Sequence, residues 1–448
     1  MNKVTELTTQ ITDKDGKWHF KRNFDKKILP YFTRNPERAT FEQGFKEIVG
    51  VMARRAVGKN VDISEEQKII DQDELLQDVS LEGVSENEFL TLFSRQALNQ
   101  LKLPQLIVYT PLANSNQRTG QIRIGEFLNL LFQLDQNQAW QGILSKKLTS
   151  NPYEKLIDQH MTPLADLKMT KDEFAFLNVA ELRAVFQHDL KNLCANTEFF
   201  MANFELFFAF YYFTYSVSVV AELTLSQGNN KKFTPYYALE YEHVSQSRLA
   251  ASTYSYSQLY KASVNLLVEN DLLDYLNYIN DDTEYHFMYE LKHQSPDGLA
   301  KLQANLKLLI TNIRQFVNLH NEDTTSLELM NLDELIATLH DLLKNNVSAE
   351  TSSRFRLSLD EIGKAYFVKS HGRLGKVFNL SDELIIMLVG VILGSQKMLL
   401  NNFLNELNLR GIFLDRSTRD ALVDELTKKN LLEKLSDSGD AQYVKPLL

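Results

Sequence analysis

Apolar positions recur at helical spacing along most of the chain. In the stretch after Ser295-Pro296-Asp297, Leu299, Leu302, Leu306, Leu309, Ile313 and Phe316 follow at steps of three and four. Ser295 is placed to cap that helix and Pro296 to open it. Leu332, Leu335, Leu339 and Leu342 repeat the spacing after a polar turn. The pair reads as two helices packed within a bundle, since the heptads are too few for an extended coiled coil. The whole of Leu164 to Leu343 reads helical nearly throughout. Within it, Leu206 to Ala221 is an uncharged, aromatic-rich run flanked by Glu205 and Glu222. That is short of the roughly 20 residues a membrane span needs, and the flanks are acidic. The run predicts a core helix covered on every side, around which the middle of the protein is built.

The last ninety-odd residues change pattern. Leu380-Ser381-Asp382-Glu383 opens a helix with Ser381 as its cap, and the body from Leu384 to Leu393 is almost wholly apolar. A second helix starts near Leu399, with Leu400, Phe403, Leu404 and Leu407 on one face, and stops at Arg410-Gly411. Asp415 or Ser417 caps a third, whose face is Ala421, Leu422, Leu426 and Val423. Two short strands, 431–435 and 441–444, then flank the turn-rich Ser436-Asp437-Ser438-Gly439-Asp440. The fold class expected is mainly α: a multi-helical body with a C-terminal winged-helix-like domain of three helices plus a β-hairpin. Its third helix would face a DNA major groove.

Three units are expected. Residues 1–150 form a basic-then-acidic N-terminal helical domain, 151–345 a helical core domain with the aromatic helix, and 354–448 the winged-helix-like domain. The polar stretch 345–353 is the linker before the last. In the first unit a helix is predicted over Thr40–Ala56, with Phe41, Phe45, Ile48, Val49 and Met52 on one side. Arg54 and Arg55 sit at its C-terminal end, where cations suit the dipole. Leu106 to Tyr109 reads as a short strand between prolines, 114–121 as a loop, and Ile124 to Leu134 as helix. The acids of 62–88 read as solvated helix faces.

Charge matters locally rather than globally. The chain of 448 residues carries a net charge of −10, so any nucleic-acid surface must be a patch. One patch is the strip before the wing: Lys364, Lys369, His371, Arg373 and Lys376, with no acid among residues 364–376 and with Gly372 and Gly375 to let a sugar-phosphate backbone approach. Arg416 and Arg419, at the start of the third helix, are expected to extend it into one continuous, sequence-independent surface for double-stranded DNA. Asp415, Asp420, Asp424 and Glu425 oppose them, so a wing that binds protein stays open. A second patch lies in residues 14–59, where twelve Lys/Arg face five Asp/Glu. Lys17, Lys21, Arg22, Lys26 and Lys27 are threaded there with Trp18, Phe20 and Phe24. The simpler reading puts those aromatics in a core and the lysines in water.

The segment from Lys369 to Gly375 running into Phe378-Asn379-Leu380, then Leu409 to Asp415, then Ser436 to Lys445, resembles the DptG component of DNA phosphorothioation-dependent restriction systems. The resemblance covers the last eighty residues best and is looser over the aromatic helix. It implies a bacterial anti-phage defence subunit that works with two larger ATP-using partners on DNA lacking the phosphorothioate mark. It brings no catalytic motif.

The chemistry-bearing motifs sought are absent from the sequence. Gly58-Lys59, Gly363-Lys364 and Gly375-Lys376 lack the rest of a phosphate loop, and no His-Glu-x-x-His occurs. Pro36-Glu37 with Glu66-Gln67-Lys68 is only a faint nuclease-like match. The lone Cys194 excludes an internal disulfide, fits a reducing cytoplasm and reads as a core thiol. The N-terminus lacks the apolar run of a signal peptide. No enzymatic activity, cofactor or metal is expected, and no membrane. Two alternatives remain. One is a helical HD-type phosphohydrolase whose metal site would need His160, His188, Asp189 and Asp271 or Asp274 to converge. The other is a winged-helix transcriptional regulator.

Overall fold

A computed structural model describes residues 3–14, 17–19, 24, 26–148, 151–168, 174–177, 179–226, 233–245, 248–316, 325–434 and 442–447. The protein is mainly helical with a few small sheets. At its centre is the aromatic helix, Thr197–Ala221, capped by Asn196, whose side chain accepts from the Phe199 amide. The seven consecutive residues from Phe207 to Phe213 are all buried. Seven residues make nearly two turns, so this helix has no solvent face there. It meets the helices Lys46–Ala56, Ala180–Cys194, Ala349–Ile362 and Asp382–Leu393. Ring pairs join it to its neighbours: Trp140 on Phe208 at 5.1 Å, Phe186 on Tyr211 at 4.9 Å, Phe367 on Phe213 at 4.9 Å. With the π-helical turn Glu222–Ser226 that extends it, the helix is long and apolar enough to cross a membrane, yet 78% of its most apolar stretch is buried inside the protein.

The N-terminal helix is shorter than its sequence implies. It spans Lys46–Ala56, and residues 40–45 are not helical. Gly44 is the reason. Its φ of +95° lies outside the helical region, and a Cβ there would sit 2.6 Å from Glu205 Oε2. That carboxylate instead accepts from the Phe45 amide at 3.0 Å. Phe41 and Phe45 are still buried and stack at 5.6 Å. Arg54 does not face the helix end as predicted. It is fully buried and donates to the carbonyls of Val61, Val108 and Thr110 at 3.0, 3.0 and 2.7 Å. The strand expected at Leu106–Tyr109 is a 3₁₀ helix, Pro104–Tyr109. Proline at its first position and the i→i+3 bonds Leu106 N–Leu103 O and Thr110 N–Ile107 O close tight turns instead of extending the chain. The acidic region behaves as read: short helices Gln72–Gln77 and Glu86–Thr91, capped by Asp71 and Ser85, with most acids exposed.

The expected loop 114–121 is half helix, since Gln117–Phe132 already starts inside it. Gly125 explains how closely this helix lies on Lys46–Ala56. A Cβ at Gly125 would be 2.5 Å from Val51 Cγ1 and 3.2 Å from the Ile48 carbonyl oxygen. Helix propensity alone would reward Gly125→Ala by about 1 kcal/mol. Overpacking opposes it, and the substitution is expected to cost about 1–3 kcal/mol net. Urea unfolding checks this; a stabilised variant would mean the helices do not approach so closely.

The stretch read as helix from Leu164 to Leu343 is interrupted by the strand Tyr237–Leu239. This strand pairs in parallel with Lys376–Leu380, which pairs antiparallel with Val368–Ser370. A tyrosine and a leucine suit a strand, and only the distant partner reveals it. Ser295 caps Pro296–Phe316 as predicted, accepting from the Gly298 amide at 3.3 Å. That helix and Leu332–Asn346 both pack on Leu266–Asn280. The stretch 345–353, read as a linker, is a short joint. Asn346 ends one helix, Val347 is extended, and Ser348 caps Ala349–Ile362. One hydrophobic cluster runs from Val4 to Val444, on both sides of this joint.

At the C-terminus three helices follow, Asp382–Leu393, Leu400–Leu409 and Arg416–Lys428. Ser381 and Asp415 are the caps of the first and third. The strands Leu432–Lys434 and Gln442–Val444 pair antiparallel, and a third strand, Met398–Leu399, pairs on the other side of Gln442–Val444. The turn 435–441 lies outside the described residues.

Candidate interaction site at the C-terminal helices

The basic strip is a β-hairpin. Its turn, His371 to Gly375, closes through Leu374 N–His371 O at 3.1 Å and His371 N–Gly375 O at 2.8 Å. Gly372 and Gly375 have φ of +53° and +75°, which is why glycine stands at both. Gly375 is covered rather than open, because a Cβ there would meet Ser257 Oγ at 2.7 Å.

The lysines of the strip are held by acids. Lys364 and Lys376 both bind Asp360, at 2.6 and 2.5 Å, and Lys369 binds Glu240 at 2.6 Å. Asp360 is buried, which alone would raise its carboxyl pKa. The two lysines outweigh burial and hold it below the ordinary carboxylate value. His371 is half-buried, and burial with the nearby Lys369 charge lowers its pKa. Arg373, Arg416 and Arg419 are exposed and have no carboxylate partner among the described residues. The Arg419 guanidinium donates to the Leu414 carbonyl, at 3.1 Å.

Between hairpin and helix lies a polar knot. Arg248 donates to Asp415 through Nε at 2.8 Å and through a second nitrogen, and also to Glu242 and, at 2.8 Å, to Thr418 Oγ1. The Thr418 hydroxyl is within hydrogen-bond distance of Glu242 Oε2 at 2.9 Å and of the Tyr236 hydroxyl at 2.8 Å. Burial would raise the Asp415 carboxyl, but Arg248 holds it down. Tyr236, Glu242 and Arg248 therefore cover the first turn of the third helix. Of the charges expected to form one positive surface, Lys369 is paired with Glu240 beside this knot.

A second network fixes the C-terminal helices to the body. Arg410, 1% exposed, forks onto Asp189, which is fully buried, with Nε–Oδ2 at 2.7 Å and Nη2–Oδ1 at 2.6 Å. Tyr211 of the aromatic helix donates to Asp189 Oδ2 at 2.6 Å, and His188 Nδ1 lies 2.9 Å from Oδ1. That bond raises the His188 pKa. A raised histidine pKa stabilises the fold fully below the unfolded value near 6.5. The contribution fades as pH rises through the folded value.

The second basic patch is only partly visible. Lys26 is exposed. Lys27 is half-buried, its carbonyl accepts from the Ala175 amide at 3.0 Å, and its charge acts on the buried Asp274. Phe24 is buried against Tyr275 at 5.2 Å, so at this position the aromatic faces the core. Lys17 lies in the strand Lys17–His19, of which the backbone alone is described, and Lys21 and Arg22 fall outside the described residues.

The residues considered for an HD-type site do not converge. His160 lies 3.4 Å from Asp78 Oδ2, Asp189 is bound to Arg410, and Asp274 accepts from Tyr285 and Asn270. Among the described residues no three His, Cys, Asp or Glu are grouped to hold a metal ion. Cys194 is half-buried, and burial pushes its thiol up to about 12.

Sequence reasoning missed Arg248 and Glu242, whose partners Asp415 and Thr418 are far away in the chain, and also Asp360, although Lys364 lies only four residues on. It read Arg410 only as a helix stop. The one available signal was a cation set between Leu409 and Ile412, in an otherwise apolar surrounding. No family model matches this sequence, and no curated protein does.

Proposed function

We propose that this protein is a non-catalytic subunit of a DNA phosphorothioation-dependent restriction assembly, and that its C-terminal module, a winged helix in form, joins it to a partner subunit. The resemblance in the last eighty residues supports the first part. The order helix, strand, helix, helix, strand, strand, with Gln442–Val444 central in the sheet, supports the winged-helix form. The observation that carries the assembly role is the state of the strip's lysines. All three are engaged by Asp360 or Glu240. Asp420 and Asp424 are also exposed on the third helix itself, where they oppose phosphates. Its place of work would be a reducing cytoplasm.

A second reading, sequence-independent DNA contact, is favoured by Arg373, Arg416 and Arg419, which are exposed and unpaired among the described residues. One variant separates the two. Arg373→Glu/Arg416→Glu/Arg419→Glu is expected to lose co-purification with the ATP-using subunits while its affinity for labelled duplex DNA, and the salt dependence of that affinity, stay at the wild-type level. A fall in duplex affinity, with the salt slope smaller by roughly 0.9 per lost phosphate contact, would replace assembly with DNA contact.

A further inference from the structure

We infer that the knot Glu242–Arg248–Asp415–Thr418 presents a docking surface for an acidic, apolar-bearing segment of a protein partner, with Tyr241, Leu249, Arg416 and Arg419 as its contact residues. Tyr241 is 82% exposed and Leu249 77%. Each of the four sits one residue from a member of the knot: Tyr241 beside Glu242, Leu249 beside Arg248, Arg416 beside Asp415, and Arg419 beside Thr418. The hydrogen bonds that join the knot therefore bring these four into one neighbourhood and fix their backbones. Single exposed apolar residues are ordinary. Two large ones beside two unpaired arginines, on a backbone held in advance, have the composition of an interface hot spot.

Charge selects the occupant. Arg416 and Arg419 have no carboxylate partner among the described residues, so the occupant supplies carboxylates. A nucleic-acid strand would also satisfy arginines and stack on a tyrosine. Yet Lys369, which lies 5.9 Å over the Tyr241 ring, is already bound to Glu240, and a phosphate chain laid along Arg416 and Arg419 would pass the exposed Asp420 and Asp424 of the same helix. A peptide chain can instead place an apolar side chain on Tyr241 and Leu249 and its acids on the arginines. This rests on reading the face as an assembly surface and gives that reading its chemistry.

The test uses the full-length protein and a random 16-residue peptide library displayed on phage, so it does not depend on the restriction partners. Peptides selected on wild type should combine large apolar residues with Asp or Glu. Their affinity should fall at least tenfold in Tyr241→Ser/Leu249→Ser and in Arg416→Glu/Arg419→Glu. All four side chains are exposed, so both variants should melt as wild type does. Enrichment of basic peptides, of peptides indifferent to these variants, or of none at all would overturn the proposal. So would a 20-nucleotide oligothymidine that binds wild type and is lost by the same variants, which would make the surface a nucleic-acid site. If selection succeeds while co-purification with the ATP-using subunits fails, the docking chemistry stands and the assignment to a restriction assembly falls.

Discussion

Arg410→Met is expected to cost about 3–5 kcal/mol of stability. The arginine is 1% exposed and supplies both N–H bonds to an Asp189 carboxylate that is itself fully buried. Methionine fills much of the volume but supplies no donor. Among the described residues Asp189 keeps the Tyr211 hydroxyl and the His188 ring, and its charge stays in the interior. Burial opposes the arginine's charge too, but Asp189 outweighs it and raises the guanidinium pKa. The double variant Asp189→Leu/Arg410→Met removes both charges and should lose less than the two single losses added together. Urea midpoints of the four proteins measure this. A single-variant loss below about 1 kcal/mol would place the pair in water rather than in the core.

Phe208→Asp should abolish soluble protein. Phe208 has no exposed surface and lies against Trp140 and Phe186, with ring centroids at 5.1 and 6.1 Å. The rings around it carry no charge to pair with a carboxylate, so one placed there costs several kcal/mol or more. Total stability of a folded domain is only about 5–15 kcal/mol, which makes this one substitution sufficient. Phe208→Leu keeps the site apolar and should cost roughly 1–3 kcal/mol. Soluble Phe208→Asp protein with an unchanged melting temperature would remove the aromatic helix from the core. Recovery of wild type in a membrane fraction would do the same.

The helices that carry their own punctuation could be read from the chain. Ser295 with Pro296, Ser381 ahead of an apolar run, and Asp415 ahead of Leu422 and Leu426 are local signals, and local signals survive without knowledge of the fold. The aromatic helix was legible for another reason: an uncharged run that long has few places to go. What failed depended on distant partners. Tyr237–Leu239 becomes a strand because residues 376–380 lie beside it. Residues 40–45 leave the helix at Gly44, whose positive φ lets Glu205 take the Phe45 amide. The site was harder still. Lys364, Lys369 and Lys376 were visible as charges, and Asp360, four residues before Lys364, was in plain sight, but Glu240 lies 129 residues from Lys369, and the two acids together offset two of the strip's four Lys/Arg charges. Arg248 gave no signal, since its meaning lies in Asp415 and Thr418, which come much later in the chain.

The parallel pairing of Tyr237 with Phe378 sets an order of events during synthesis. The partner strand leaves the ribosome about 140 residues after Tyr237, or about 7–28 s later at ordinary elongation rates. The Phe413 backbone, which bridges to Tyr236 on the other side, arrives later still. Through that interval the nascent chain holds a Tyr-Tyr-Ala-Leu segment with neither neighbour in place, an open edge of the kind that pairs with the wrong chain. The finished protein buries this segment, so its greatest exposure to aggregation falls while it is still being translated.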